Sequence, residues 1–383
     1  MLLHNAHVAW DAAINDIFIE NEKIKSIIPS GGETPAKNEL IIDLDQSTIL
    51  PGFINSHDHL DFNLFSSIKN RIYNNYTEWG KDIHQNNKNT IDAVLKIPKA
   101  LRIQAGLYKN LLNGITTVIN HGEKLEISES PIDVFQHCIS LHSVHFEKLW
   151  ILKVNLPRSE RLPIVMHVGE GTDQLSREEI NQLIQWNFFK KEIIAVHGVA
   201  MNEMQASHFK ALVWCPASNF YLLNSTARID ILKNKIPILF GMDSTLTSSW
   251  NLWEHLRLAK KQAMLDDAEL LNSLTTNAAT VWGLKHFSKV EPGNRADLVA
   301  MKKTPEKSDL FSLNPEDILL VLHRGEPRLI DESIYSQFAG LPLHTFSKIY
   351  VNGQAKYVQG DLQTLVRQSR KYYPQAQFPF EIA

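Results

Sequence analysis

Residues 49–59 read ILPGFINSHDH: an apolar run, a turn at Pro51-Gly52, a second short apolar run, then two histidines one residue apart. In a β-strand residues i and i+2 share a face, so His57 and His59 can point the same way while Asp58 points to the other side. The pattern of a short apolar run ending in polar residues returns down the chain. It recurs as ITTVIN (115–120), LPIVMHV (162–168), EIIAVHG (192–198), ALVWCP (211–216) and IPILFGMD (236–243), alternating with longer stretches of helical pattern. Unbroken apolar runs mark strands covered on both faces, which is what a parallel sheet crossed over by helices needs. The expected architecture is therefore α/β, a TIM-like (β/α)8 barrel over residues 49–284.

The flanks read differently. DIFIENEKIKSIIP (16–29) and ELIIDLD (39–45) are strand-like pieces separated by Gly31-Gly32 and a Pro-containing linker, and ADLVAMK (296–302) and KIYVNGQAKYV (348–358) follow Trp282. Asn352-Gly353 suits a tight hairpin turn. The two ends, 1–48 and 285–383, are expected to form one small composite β-sandwich beside the barrel, the second part carrying a C-terminal extension. The segment 131–160 is short for its share of the barrel, so distortion is expected around strands 3 and 4, within the poorly patterned stretch 123–160. Ser176 and Glu179 read as a capping box opening a helix with Ile180, Leu183 and Ile184 on one face.

Composition narrows the function classes. The 383 residues, 44% hydrophobic, fill a sizeable core, and a formal charge of -3 offers no basic field for nucleic acid. No run approaches the roughly 20 apolar residues of a membrane span. Only two cysteines occur, Cys138 and Cys215, in no ligand-like spacing, which suits a reducing compartment and a cytoplasmic location. A small-molecule substrate is the expected partner.

In a parallel barrel the C-terminal strand ends converge on one face, where chemistry is assembled from different strands. That face would gather His57, His59, His121, His167, His197 and Asp243. Three imidazoles and one carboxylate, His57, His59, His167 and Asp243, make a set for one divalent ion. Zinc in such an open site lowers the pKa of its water to roughly 7, giving a nucleophile at neutral pH. The leaving nitrogen of a C–N bond must also be protonated, and Glu170, three residues past His167, is suited to move that proton. His197 could hydrogen-bond the attacking oxygen or bind a second ion. Trp214 and Trp250 could stack on a planar ring, and His121 could contact substrate. Asp243 is placed among the catalytic residues as well as the ligands.

These motifs resemble the amidohydrolase superfamily, within it the branch of cytosine, guanine and S-adenosylhomocysteine deaminases and chlorohydrolases. ILPGFINSHDH resembles its first-strand motif, GITTVIN the second, MHVGE the fifth, VHG the sixth, CPASN the seventh and GMDS the eighth, with TTNAATVWGL and EPGNRADLVAM leading out to the small domain. The resemblance implies one zinc or iron on His57, His59, His167 and Asp243, with Glu170 as proton shuttle and His197 beside the attacking water. Two-metal branches use a bridging lysine on the fourth strand. Lys148 and Lys153, the lysines in that interval, read as surface charges. A homodimer is a common state of such barrels. The leading expectation is a metal-dependent hydrolase acting on a non-peptide C–N bond of a small cyclic substrate, deaminase-like. A cyclic amide hydrolase, imidazolonepropionase-like, is the alternative, and a non-catalytic barrel scaffold the alternative of another class.

Overall fold

A computed structural model describes every residue except Trp10, Ala12, 33–39, Ser128, Ser288, 305 and 306. The Pro-containing linker lies outside the described residues. The chain begins with five short strands, β1 (Leu2–Val8), β2 (Ile14–Glu20), β3 (Lys23–Pro29), β4 (Ile41–Asp43) and β5 (Thr48–Pro51). It then enters β6 (Phe53–Asp58), every residue of which is buried. Along β6 the alternation divides two cores: Phe53 packs outward with the helices, while Ile54 joins an inner cluster with Val165, Val196, Val213 and Leu239.

Three helices precede the next strand: α1 (Tyr76–Asn86), α2 (Lys88–Leu95) and α3 (Lys99–Leu111). The Asn75 side chain caps α1 by accepting from Glu78 N. The strands β7 (Ile115–Asn120), β8 (Asp133–Phe135) and β9 (Ile139–Ser140) follow, then α4 (Trp150–Asn155), β10 (Ile164–Val168), α5 (Gln174–Trp186), β11 (Ile193–His197), α6 (Glu203–Ala206), β12 (Ala211–Trp214), α7 (Pro216–Leu223) and β13 (Ile238–Phe240). β6-β7-β8 form one parallel sheet and β9-β10-β11-β12-β13 another. The eight parallel strands thus stand as two arcs, and no ladder joins them among the described residues.

The third and fourth units are trimmed, as the sequence suggested. Only residues 136–138 separate β8 from β9, and the six-residue α4 is the only helix between β9 and β10. At the other seam β13 meets β6 through single contacts. Asp243 N donates to His57 O at 3.0 Å and Met242 N to Asn55 Oδ1 at 3.0 Å. Gly241 permits this approach: a Cβ there would lie 2.8 Å from the His57 Cβ, the Cys215 Sγ and the Val213 Cγ1.

After helices between residues 252 and 282 the chain returns to strands, β14 (Leu298–Met301), β15 (Ile318–His323), β16 (Glu326–Asp331), β17 (Phe346–Val351), β18 (Gln354–Gln359) and β19 (Glu381–Ile382). β14 pairs antiparallel with β5, so both chain ends build a single sheet in the order β19-β17-β18-β16-β15-β14-β5-β1-β2-β3, with β4 also on β1. Asn352 and Gly353, both at positive φ, make the turn between β17 and β18. No described helix is long and apolar enough to cross a membrane.

One local reading is corrected. The cap of α5 is Asp173, whose carboxylate accepts from Ser176 N, and not Ser176. The helix therefore starts earlier, and Glu179 turns inward and is buried.

Candidate metal centre

The ends of β6, β7, β10 and β11 bring four imidazoles together around a fifth, that of His57. Ring centroids of His59, His121, His167 and His197 lie 5.0, 5.1, 5.0 and 5.6 Å from it. Asp243 arrives from the turn after β13, its Oδ1 3.9 Å from His57 Nε2. Two overlapping groups have donor atoms all within 4.8 Å of one another, His57-His59-Asp243 and His57-His167-His197. His59, His167 and Asp243, expected from three distant stretches of chain, are thus brought to one place with His57.

The local backbone is shaped for this. Gly169 at φ +61 turns the chain after β10 so that Glu170 comes back toward the cluster. His197 at φ 72 and Asp243 at φ 58 hold the left-handed region that non-glycine residues rarely occupy, a strain that concentrates at functional sites.

Hydrogen bonding selects the free nitrogens. His167 Nδ1 lies 2.9 Å from the carbonyl oxygen of His142, which can only accept, so Nδ1 carries the proton and Nε2 keeps its lone pair. Likewise His197 Nδ1 donates to Asn219 Oδ1 at 2.8 Å, leaving Nε2 as an acceptor 3.5 Å from Glu170 Oε2. His57 is fully enclosed and neither of its ring nitrogens has a partner. An unmet buried polar group costs about 1–3 kcal/mol, so a cluster with such a residue at its middle is built for a partner that the chain itself does not supply. Imidazole nitrogens with one carboxylate suit a divalent ion of the zinc type.

Electrostatics sort the ionisable groups. Burial, reinforced by the neighbouring imidazoles, holds His57 and His167 well below the usual histidine range, which keeps them neutral as ligands must be. Burial also lowers His197, against the opposing charge of Asp243. Glu170 is pushed well above the usual carboxylate range by burial first, then by Asp243 and Glu179. Asp243 goes the other way: burial raises it, but His59, His197, the Ser218 hydroxyl and Ser244 N together bring it below its ordinary value. Two neighbouring carboxyls pushed in opposite directions are the usual mark of an acid/base assignment.

Residues 149–328 match the model of the amidohydrolase family. The chain carries an amidohydrolase-family domain. It is 24% identical to a 5-methylthioadenosine/S-adenosylhomocysteine deaminase of Pyrococcus furiosus over 92% of each chain. It is 23% identical to a 5'-deoxyadenosine deaminase of Methanococcus aeolicus over 76% of this chain and 83% of the other. An adenosine deaminase from Xanthomonas campestris, solved with bound zinc, shares the fold at a TM-score of 0.72 and 15% identity over 98% of both chains. The matched amidohydrolase-family segment holds His167, Glu170, His197 and Asp243, while His57 and His59 precede it.

Around this cluster the remaining expected residues divide. His121 sits in the cluster, 4.3 Å between centroids from His167, both ring nitrogens buried and without partners. Trp214 does not line it. The alternation of β12 sends Val213 and Cys215 inward and Trp214 into the outer core, fully buried, with Nε1 on Thr226 and its edge on Phe240. That corrects its expected role as a ring-stacking residue. Trp250 is half-buried against the same outer core, and its carbonyl accepts from Asn113. Lys148 is exposed and Lys153 pairs with Glu147. Sequence reasoning missed the residues that hold the others in place: Asn219 behind His197, and Ser218 and Thr247 on Asp243 Oδ2 at 2.8 and 3.0 Å. It also missed Glu179, which accepts from Gly169 N at 3.4 Å and Tyr76 Oη at 3.3 Å, and whose carboxyl burial pushes up to about 8.

Proposed function

We propose that this protein is a metal-dependent hydrolase that removes an amino group from a ring carbon of a small cyclic substrate. The observation that carries the reading is the meeting of His57, His59, His167 and Asp243 beside the buried Glu170 carboxyl and a His197 whose Nε2 is free to accept. The deaminase relatives agree with it, and their names put adenine nucleosides first among substrates to try. In this reading the two arcs act as one (β/α)8 barrel over 49–284, beside a composite sandwich of 1–48 and 285–383, in the cytoplasm.

His57, His59, His167 and Asp243 would hold one divalent ion, zinc in our reading. When bound, it supplies the Lewis acidity that makes water a nucleophile at neutral pH. Glu170 takes a proton from the attacking water as its oxygen bonds to the ring carbon, and gives a proton to the amino nitrogen as the C–N bond breaks. Ammonia leaves and the ring carbon keeps the oxygen. His197 Nε2 accepts a hydrogen bond from the attacking water and fixes its approach. Asp243, held as a carboxylate by Ser218, Thr247 and Ser244 N, does not compete for the proton.

The test is ammonia release by zinc-loaded protein over adenine nucleosides, free purines, pyrimidines and triazines. At least one substrate is expected to release ammonia, and Glu170→Gln is expected to keep its metal while losing about 100- to 10,000-fold in kcat. A ring-opened acid formed without ammonia would overturn deamination in favour of cyclic amide hydrolysis. Full activity in Glu170→Gln would remove the role given to that residue.

A further inference from the structure

Between the two histidines of β6 stands Asp58, whose side chain points away from the cluster into a buried polar knot. Its Oδ2 is 2.9 Å from Lys109 Nζ and accepts from Asn110 Nδ2 at 2.7 Å and Asn55 Nδ2 at 3.1 Å, while Oδ1 accepts from Asn63 Nδ2 at 2.8 Å. Neither Asp58 nor Lys109 has more than 1% of its side chain exposed. The same Lys109 Nζ donates to the main-chain oxygen of Asp243 at 2.9 Å. Asp243 N in turn donates to His57 O. One ammonium therefore ties together the backbone between two candidate ligands and the backbone of a third.

A buried ion pair is a poor device for stability alone, since apolar residues of the same volume often serve as well. Its value lies in direction. Here it spans the seam between β6 and β13, where no ladder fixes the register, and it holds Asp243 in a left-handed backbone conformation. Asn63 extends the same hold, its Oδ1 accepting from Thr245 N at 3.1 Å two residues past Asp243.

We propose that Lys109 and Asp58 form a positioning pair that presets the spacing between the histidines of β6 and Asp243, and thereby sets the affinity of the centre for its ion. The proposal rests on the reading of the cluster as a metal centre. Single substitutions leave an uncompensated buried charge, so the main variant is the double Asp58→Asn/Lys109→Met, which removes both charges at similar volume; Asn63→Ser removes one hydrogen bond to Asp58 while both charges of the pair stay in place. The measurements are zinc affinity by chelator competition, the visible absorption of the cobalt-substituted protein, and thermal unfolding of the metal-stripped protein.

The double variant is expected to bind zinc about 10- to 100-fold more weakly, the usual cost of losing an outer partner of a metal ligand, with an altered cobalt spectrum. Asn63→Ser should follow in the same direction by less. A folded double variant with wild-type zinc affinity and an unchanged cobalt spectrum overturns the proposal, even if its unfolding temperature has dropped. Wild-type protein that takes up neither zinc nor cobalt overturns instead the metal-centre reading beneath it.

Discussion

His197 Nδ1 donates to Asn219 Oδ1 at 2.8 Å, and that one bond decides which nitrogen of His197 faces Glu170. Asn219 also donates to the Thr226 hydroxyl at 3.2 Å, a second bond that suits the same amide orientation. Replacing Asn219 with Leu should free the ring to take either tautomer and to rotate. A loss of about 10- to 100-fold in kcat, with metal content unchanged, is expected from steady-state kinetics and metal analysis on the same preparation.

Metal removal should be visible in stability as well as activity. The ring nitrogens of His57 and His121 are buried without a partner, and an ion that binds the folded state alone stabilises it by mass action, roughly 2.7 kcal/mol at 100 times its dissociation constant. Dialysis against a chelator is expected to lower the unfolding temperature, and zinc to restore it. An unfolding temperature indifferent to both treatments would contradict the prediction.

Gly241 offers a purely steric test. An added Cβ would meet the His57 Cβ and the Cys215 Sγ at 2.8 Å, closer than real Cβ contacts allow, and neither neighbour is the free end of a flexible chain. Gly241→Ala should destabilise by about 1–3 kcal/mol, the usual range for overpacking, as read from denaturant unfolding. Because His57 is the atom group displaced, zinc affinity should fall in the same variant.

A pH dependence is expected far from the centre. His323 would be lowered by burial, yet hydrogen bonds and charges from Asp133 and Asp297 raise it above the ordinary histidine value. A group raised on folding gives its full stabilisation below its unfolded pKa of about 6.5 and loses it as pH climbs through the folded value. The gap in unfolding temperature between wild type and His323→Asn should therefore be widest near pH 6 and narrow toward pH 9. Asp133 has the opposite sign: burial raises it, but His323 and Arg295 hold it well below the carboxylate range, so its contribution disappears only in strong acid.

The chemistry-bearing residues were readable because each ends an apolar run, and strand ends converge whatever the loops do. His57, His59, His167, His197 and Asp243 needed no knowledge of tertiary contacts beyond that. Trp214 also ends such a run, but the parity of a four-residue strand decides its face, and one residue of register turns a wall into a core. Glu179 fits the spacing of a capping residue, a local rule that yielded when Asp173 capped the helix three residues earlier. The partners of Asn219, Lys109 and Asp58 carry little local signal, although Asn219 closes the CPASN motif and Asp58 stands between the two histidines. Asn219 meets His197 22 residues away, Lys109 meets Asp243 134 residues away, and Asp58 is held by Lys109 and Asn110, 51 and 52 residues away, as well as by nearby Asn55 and Asn63.

The shortness of the link between β8 and β9 bears on whether the chain can be divided. With no crossover helix between these strands, the Phe135 ring of β8 packs against Trp282 at 5.5 Å between centroids, and Asp133 is gripped by Arg295 at 2.7 Å and Arg324 at 3.0 Å, residues flanking strands of the sheet made by the chain ends. Arg295 in turn lies over the Phe287 ring at 3.6 Å. That sheet is a retaining wall for the arc it leans on. Excised at residue 284, the central segment would leave the Asp133 carboxylate without its two arginine partners, so the chain ends help to hold the arc they lean on.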